Sequence, residues 1–216
     1  SLDISSNTSL HDLNCENNQL TNLDVSSNIL LNQLNSCNNQ LTSLNIGSKT
    51  VLEEVSIYNN LITGLDLSSV VSDIVALSAQ NNLMTYLYLP SNMFSKEIDL
   101  RNNQLDTINF SSIDSLRVHY LFLTNNNFQN LDLNNVYFNG LYCDSNQLTS
   151  LDLRNGANIY DPITDFEFYV EEIYAYGNPD LYCVSVDDTA HSNTNWTVAN
   201  NFEFDQQVTF KASCIL

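Results

Sequence analysis

The sequence predicts a mainly β solenoid with little helix, and three observations lead to that prediction. Similar stretches recur along most of the 216-residue chain, at steps of 21 or 22 residues with small deviations. Apolar and polar residues alternate within each stretch, which is typical of a short strand with one buried face. Asparagine recurs where each strand ends, and asparagine and serine favour turns over helices.

The repeated unit is read directly from the chain. LNCENNQLTNLDVSSN, which begins at Leu13, returns as LNSCNNQLTSLNIGSK from Leu34, as IDLRNNQLDTINFSSI from Ile98 and as LYCDSNQLTSLDLRNG from Leu141. The second half of each unit echoes the first, so we expect the back of every coil to be extended as well. Alternation predicts that Leu13 and its equivalents point into a core.

One asparagine occupies the turn position of each of about eight rungs. Its side-chain amide can bond backbone groups that the turn leaves unpaired, so we expect a ladder of buried amides along the solenoid. The predicted ladder consists of Asn18, Asn39, Asn60, Asn82, Asn103, Asn126, Asn146 and Asn178.

The spacing indicates where the solenoid is interrupted and where it ends. The step from Asn146 to Asn178 is 32 residues, and we assign the excess to an inserted loop at 154–169 that either binds ligand or seals the end of the coil. We predict a solenoid over 1–182 and a capping segment over 183–216, because an open solenoid end exposes apolar surface and strand edges. The cap's apolar contacts would come from Trp196, Phe202, Phe204 and Phe210.

The five cysteines have different expected roles. Cys15 and Cys143 occupy inward positions about six rungs, or roughly 29 Å, apart and cannot pair. Cys37 aligns with the outward Glu16, which predicts an exposed free thiol. Cys183 and Cys214 flank the cap and are the remaining plausible disulfide pair, which favours an oxidising compartment.

The repeats resemble bacterial leucine-rich repeats of the short 21-residue class, with the shared pattern L-x-x-L-x-L-x-x-N-x-L-x-x-L-D-L-S over residues 2 to about 180. The C-terminal segment from Asn178 also resembles the closing segment of flavobacterial (Bacteroidetes) secreted repeat proteins. The resemblance implies a right-handed coil with a parallel sheet on its concave side. It also implies a secreted or cell-surface location, attached to the outer membrane.

Charge and motifs exclude several function classes. The formal net charge of −19 repels phosphate backbones, which argues against a nucleic-acid partner. The sequence lacks an apolar run of the roughly 20 residues that span a bilayer, so we expect no membrane insertion. It also lacks a nucleophile elbow, a phosphate-binding glycine loop and a metal-ligand spacing of histidines, so we predict neither an enzyme nor a cofactor.

An acidic column on the second half of the coil leaves two interpretations open. Its stacked oxygens can hold calcium, or they can cap turn amides without any ion. The column consists of Asp24, Asn45, Asp66, Tyr88, Asn109, Asp132 and Asp152.

The outward strand positions point to a binding surface at one end of the solenoid. The central outward residues are Asn14, Asn35, Ser56, Ser78, Asp99, Phe122, Tyr142 and Tyr174, so aromatic side chains occupy the last three. We predict a ligand-binding patch made of Tyr120, Phe122, Tyr142, Asp144, Glu172, Tyr174 and Tyr176. The alternative is that the inserted loop buries these rings as part of the cap.

These observations favour an extracellular or cell-surface binding or adhesion module that recognises a protein or a glycan. Two alternatives remain: a structural spacer that holds another domain away from the cell, and a carbohydrate-binding accessory domain of a larger surface protein. A spacer permits uniform outward positions, whereas the aromatic residues of this chain are clustered.

Overall fold

The computed structural model describes residues 2–108, 110, 114–156 and 170–214, apart from the Asn92 side chain. These residues form a parallel β-solenoid, as predicted, in which successive coils stack along one axis. Each coil contributes a strand to a front sheet, and most contribute a second strand to the back. The inserted segment falls on 157–169, outside the described residues, together with Phe166, Phe168 and Tyr169.

The front sheet has nine strands among the described residues, all paired in parallel. In spatial order they are β1 (Asp12–Asn14), β3 (Gln33–Asn35), β5 (Glu54–Ser56), β7 (Ala76–Ser78), β9 (Asn92–Asp99), β10 (Ser115–Phe122), β12 (Val136–Tyr142), β14 (Glu172–Tyr174) and β16 (Phe202–Glu203). The strands β9, β10 and β12 are longer than the others because they begin earlier in their coils.

The back of the solenoid carries shorter parallel sheets, so the extended back face predicted from the internal echo is confirmed. The pairs are β2 (Leu23–Asp24) with β4 (Leu44–Asn45), and β6 (Gly64–Asp66) with β8 (Tyr86–Tyr88). A four-stranded sheet contains β11 (Asn130–Asp132), β13 (Ser150–Asp152), β15 (Cys183–Ser185) and β17 (Thr209–Lys211).

A single apolar core lies between the front and back strands. In one coil Val55 and Ile57 from the front meet the same cluster as Leu65 and Leu67 from the back, and all four are buried. One coil alone cannot enclose its apolar side chains, so each coil depends on its neighbours for burial. This dependence makes stacking, and not intrinsic strand propensity, the main source of stability.

The repeated asparagine makes the same contacts in successive coils, and Asn103 is representative. Its Nδ2 donates to the carbonyl oxygens of Ala79, Leu100 and Arg101 at 3.1, 3.0 and 3.3 Å, and its Oδ1 accepts from the Met84 amide at 3.0 Å. The equivalent bonds form at Asn39, Asn60, Asn82, Asn126, Asn146 and Asn178. Asn18 is exposed and bonds within its own coil, because no described coil stacks on its outer side.

A second asparagine ladder, which the sequence reasoning did not identify, lies beside the first on the surface. Asn59, Asn81, Asn102 and Asn125 each donate through Nδ2 to the Oδ1 of the preceding member at 2.8 Å, beginning from Asn38. All five have φ between 53° and 57°, a left-handed conformation that asparagine tolerates well. This conformation is what turns the chain away from the front sheet after every strand.

The C-terminal segment closes the stack. Cys183 and Cys214 form the predicted disulfide, with their Cα atoms 5.9 Å apart. Trp196 is buried against Phe202, Phe210 and Phe204, at ring-centroid distances of 5.3, 5.3 and 6.3 Å.

The helical content of the described residues is small and belongs to this segment. A short helix α1 (Thr189–Asn195) is capped by the Asp188 carboxylate, and a 3-10 turn (Val198–Asn200) follows. Among the described residues, no helix has the length and apolar content that crossing a membrane requires.

The expectation of an exposed thiol at Cys37 is wrong, because Cys37 is 0% exposed. It does follow the outward column, but the larger side chains of Glu16 and Tyr58 in the flanking coils close over it. Burial, with the nearby Glu16 charge, raises the pKa of the Cys37 thiol to about 11. Cys15 and Cys143 are also buried, as predicted.

We expect iodoacetamide at pH 8 to modify no cysteine of the folded protein. Cys37 is covered and stays protonated well above that pH, and the thiolate is the reactive form. Unfolding in guanidinium without reductant should expose three thiols, Cys15, Cys37 and Cys143, which mass mapping would identify. Tyr58→Ala is the matched control, since removing that cover should make Cys37 reactive in the folded state. Modification of Cys37 in the folded wild-type protein would contradict the observed packing.

Candidate functional site

Outward side chains of five neighbouring front strands line up in rows across the sheet. The first row contains Glu97, Tyr120, Gly140 and Glu172, and the second contains Asp99, Phe122, Tyr142, Tyr174 and Glu203. Two residues further along each coil lie Arg101, Thr124, Asp144 and Tyr176. The parallel register therefore brings all seven predicted ligand-binding residues onto one surface. We call Tyr120, Phe122, Tyr142, Tyr174 and Tyr176 the aromatic patch.

The rings of the second row stack on one another along the solenoid axis. The centroids of Phe122 and Tyr142 are 4.6 Å apart, and those of Tyr142 and Tyr174 are 4.9 Å apart with an interplanar angle of 10°. Tyr120 extends the stack to a centroid 6.3 Å from Phe122. The strand spacing of about 4.8 Å imposes this arrangement when neighbouring coils carry rings at the same position. Ring faces within the stack are covered, while ring edges and hydroxyl groups face outward.

Gly140 makes room for the Tyr120 ring. A Cβ added at Gly140 would lie 2.7 Å from Cδ1 of Tyr120 and 3.1 Å from Oε1 of Glu172, closer than such contacts occur. The sequence reasoning missed Gly140, although a glycine at an outward strand position signals the close approach of another group.

Arg101 closes one end of the stack. Its Nε and Nη2 donate to the two oxygens of Asp99 at 2.9 and 2.6 Å, and its guanidinium carbon lies 4.9 Å from the Phe122 ring centroid. A carboxylate and an aromatic face hold this guanidinium together. Arg101 was also missed, although its position two residues after Asp99 places the two side chains on the same side of the strand.

Carboxylates surround the aromatic patch and bond to its hydroxyls. The Tyr142 hydroxyl donates to Oε1 of Glu172, and the Thr124 hydroxyl donates to Oδ1 of Asp144 at 2.7 Å. Burial first, and then the bond to Glu172, raise the pKa of Tyr142. The Asp144 charge is the main cause of a raised pKa at Tyr176. The patch therefore lies in a negative electrostatic field.

Exposure differs between the middle and the edges of the aromatic patch. Phe122, Tyr142 and Tyr174 are half-buried by their mutual stacking, whereas Tyr120 and Tyr176 are 37% and 43% exposed. The alternative in which the inserted loop covers the rings falls on residues outside the described part of the chain.

A second pair of exposed rings lies on the back of the solenoid. Tyr86 and Tyr88 on β8 are 44% and 54% exposed, with ring centroids 5.4 Å apart. The Tyr86 ring lies over Gly64 of the neighbouring strand, where an added Cβ would come within 2.1 Å of it. This pair was not singled out from sequence.

The acidic column on the back caps turns. Oδ1 atoms of Asp24, Asp66, Asp132 and Asp152 each accept from the backbone amide two residues later, at 2.9 to 3.2 Å. This is the second of the two interpretations open at the sequence level, and Asn109 of the column lies outside the described residues. Among the described residues, no group of three or more His, Cys, Asp or Glu side chains is arranged to hold a metal ion.

Comparisons with known proteins give one structural similarity. Neither the known protein families nor the curated proteins contain a match to this sequence. Among solved structures, the functional domain of InlJ from Listeria monocytogenes, which includes a cysteine ladder, aligns over 98% of this chain with 19% sequence identity and a TM-score of 0.37. The alignment covers 56% of that InlJ chain.

Proposed function

We propose that this chain is an extracellular or cell-surface binding module that contacts a protein or glycan ligand through the aromatic patch. The observation that carries the proposal is the continuous row of rings on the front sheet, with Tyr120 and Tyr176 exposed at its edges. Clustered exposed aromatic residues are typical of interaction sites, and tyrosine supplies rigid contact area with a polar tip.

Two further observations support an extracellular location. The Cys183–Cys214 disulfide is of a kind that persists in oxidising compartments. The resemblance of the repeats to flavobacterial leucine-rich-repeat surface proteins points the same way. We propose binding without catalysis, because the three histidines are far apart along the chain, at His11, His119 and His191, and the catalytic motifs sought in the sequence are missing.

A paired set of variants tests the proposal. The first is Tyr120→Ala/Tyr176→Ala on the front sheet, and its matched control is Tyr86→Ala/Tyr88→Ala, which removes two tyrosines of similar exposure from the back. Wild-type protein would be screened against a phage-displayed library of random 12-residue peptides and against a glycan array. We expect the front variant to bind the selected ligand at least about thirtyfold more weakly, which corresponds to about 2 kcal/mol at an interface centre.

The control variant should bind like the wild type, and both variants should keep the wild-type melting temperature within a few degrees. Selection of no ligand by the wild-type protein in either screen would favour the spacer alternative. Selection on the glycan array alone would favour the carbohydrate-binding accessory domain. Undiminished binding by the front variant would move the site away from the aromatic patch.

A further inference from the structure

Arg101 shows how this surface holds a guanidinium group. Both Asp99 oxygens accept hydrogen bonds from it while Phe122 lies beneath its plane, so one carboxylate and one ring act together. Charge-assisted bidentate pairs of this geometry are strong and selective for arginine.

The same pairing of ring and carboxylate recurs along the patch. Glu172 accepts from the Tyr142 hydroxyl through one oxygen, Asp144 lies close enough to Tyr176 to raise its pKa, and Glu203 follows Tyr174 in the second row. The chain's own basic residues are few and mostly elsewhere. Of the six, Lys49 is buried, Arg154 bonds Asp152 on the back, Lys211 is in β17 and Arg117 is in the first half of β10, which leaves Lys96 and Arg101 near the patch.

Ring geometry separates a basic peptide from a sugar as occupant. A sugar stacks on an open aromatic face, but the faces of Phe122, Tyr142 and Tyr174 are covered by one another at 4.6 and 4.9 Å. What the stack presents outward is a line of hydroxyl oxygens and ring edges between carboxylates. Such a surface accepts hydrogen bonds and attracts positive charge. The negative field that raises the pKa of Tyr176 is consistent with this reading.

We infer that the aromatic patch binds an arginine-containing basic segment of a partner protein, with guanidinium groups held by Glu172, Asp144 and Glu203 as Arg101 is held by Asp99. This inference rests on the proposed function and names its ligand class. The formal charge of −19 on the chain assists the encounter with a basic segment through long-range attraction.

Three peptides and two matched variants test the inference. The probes are fluorescein-labelled peptides of six Gly-Arg units, the same peptide with citrulline in place of arginine, and six Gly-Lys units. Glu172→Gln/Asp144→Asn removes two charges at the patch and keeps a hydrogen-bond acceptor at each site. Glu53→Gln/Glu54→Gln removes two exposed charges near the other end of the same sheet, so both variants have the same net charge. Binding would be measured by fluorescence anisotropy at physiological salt, with melting temperature as the folding control.

We expect the arginine peptide to bind best, the citrulline peptide to bind at least about tenfold more weakly, and the lysine peptide to lie between them. The patch variant should lose at least about tenfold in affinity for the arginine peptide, and the control variant less than about twofold. Glu203→Gln, on the edge strand β16, is a second patch variant if the double variant melts early.

Equal losses in the two double variants would overturn the inference, since they would show general attraction to an acidic protein. Equal binding of the citrulline and arginine peptides would also overturn it. Failure of the proposed function is distinguishable, because the library screen is independent of charge. Selected peptides without basic residues that still require Tyr120 and Tyr176 would leave the binding function standing and refute its basic ligand.

Discussion

A chain that ends at Tyr182 is expected to aggregate or to lose its cooperative melting transition. The truncation removes β16 from the front sheet and both β15 and β17 from the back sheet, so two strand edges lose their partners. It also removes Trp196 and its stacked phenylalanines and uncovers core residues such as Leu151 and Ile173. An uncovered solenoid end exposes apolar coil and pairing edges to other molecules. Light scattering and far-UV circular dichroism during heating would measure the effect.

Cys214→Ser is the matched control for that truncation, because it breaks the disulfide and leaves every strand in place. Closure of a loop with a sequence separation of 31 is worth about 3 to 4 kcal/mol of unfolding free energy in the chain-entropy account. We expect this variant to fold and to melt earlier than the wild type. A truncated chain that melts as the full chain does would show that the proposed cap, 183–216, does not seal the solenoid.

Replacement of Asn103 by leucine should be the most destabilising single change within the central coils. Three carbonyl groups and the Met84 amide lose a partner in a buried turn, and unmade bonds of this kind cost about 1 to 3 kcal/mol each. We expect a loss of at least about 3 kcal/mol and a fall in melting temperature of about 10 °C. Chemical unfolding followed by tryptophan fluorescence at Trp196 and by circular dichroism would report the change.

The neighbouring Asn102 is the control for Asn103, since it carries the same side chain in the exposed ladder. Asn102→Gly removes the amide bonds to Asn81 and Asn125 and accommodates the left-handed φ of 56°. We expect a cost below about 1 kcal/mol, because water replaces the exposed bonds. Similar losses from the two variants would mean that the inner amides contribute no more than surface hydrogen bonds.

Local pattern was sufficient to predict the coil and much of the candidate surface. Alternation within each unit determines which side chains point inward, and the repeat places equivalent positions in register, so the parallel front sheet follows without further information. The same frame identified Cys183 and Cys214 as a pair, because neither Cys15 nor Cys143 can reach a partner. It also predicted that Tyr120, Phe122, Tyr142 and Tyr174 would share a face.

Contacts between side chains of different coils were not predictable in this way. The frame assigns Cys37 an outward position, but burial depends on the sizes of Glu16 and Tyr58, which come from coils 21 residues away on either side. The outer asparagine ladder depends on a left-handed backbone conformation that the repeat pattern does not specify.

The candidate site divides in the same way. The sequence by itself determined which residues face outward and that aromatic side chains cluster near one end of the solenoid. Only the tertiary structure decided that the rings stack, that Tyr120 lies over Gly140 and that Arg101 is held between Asp99 and Phe122. The physical reason is that periodicity specifies the direction of a side chain, whereas its contacts depend on the shape and charge of whatever the next coil places about 4.8 Å away.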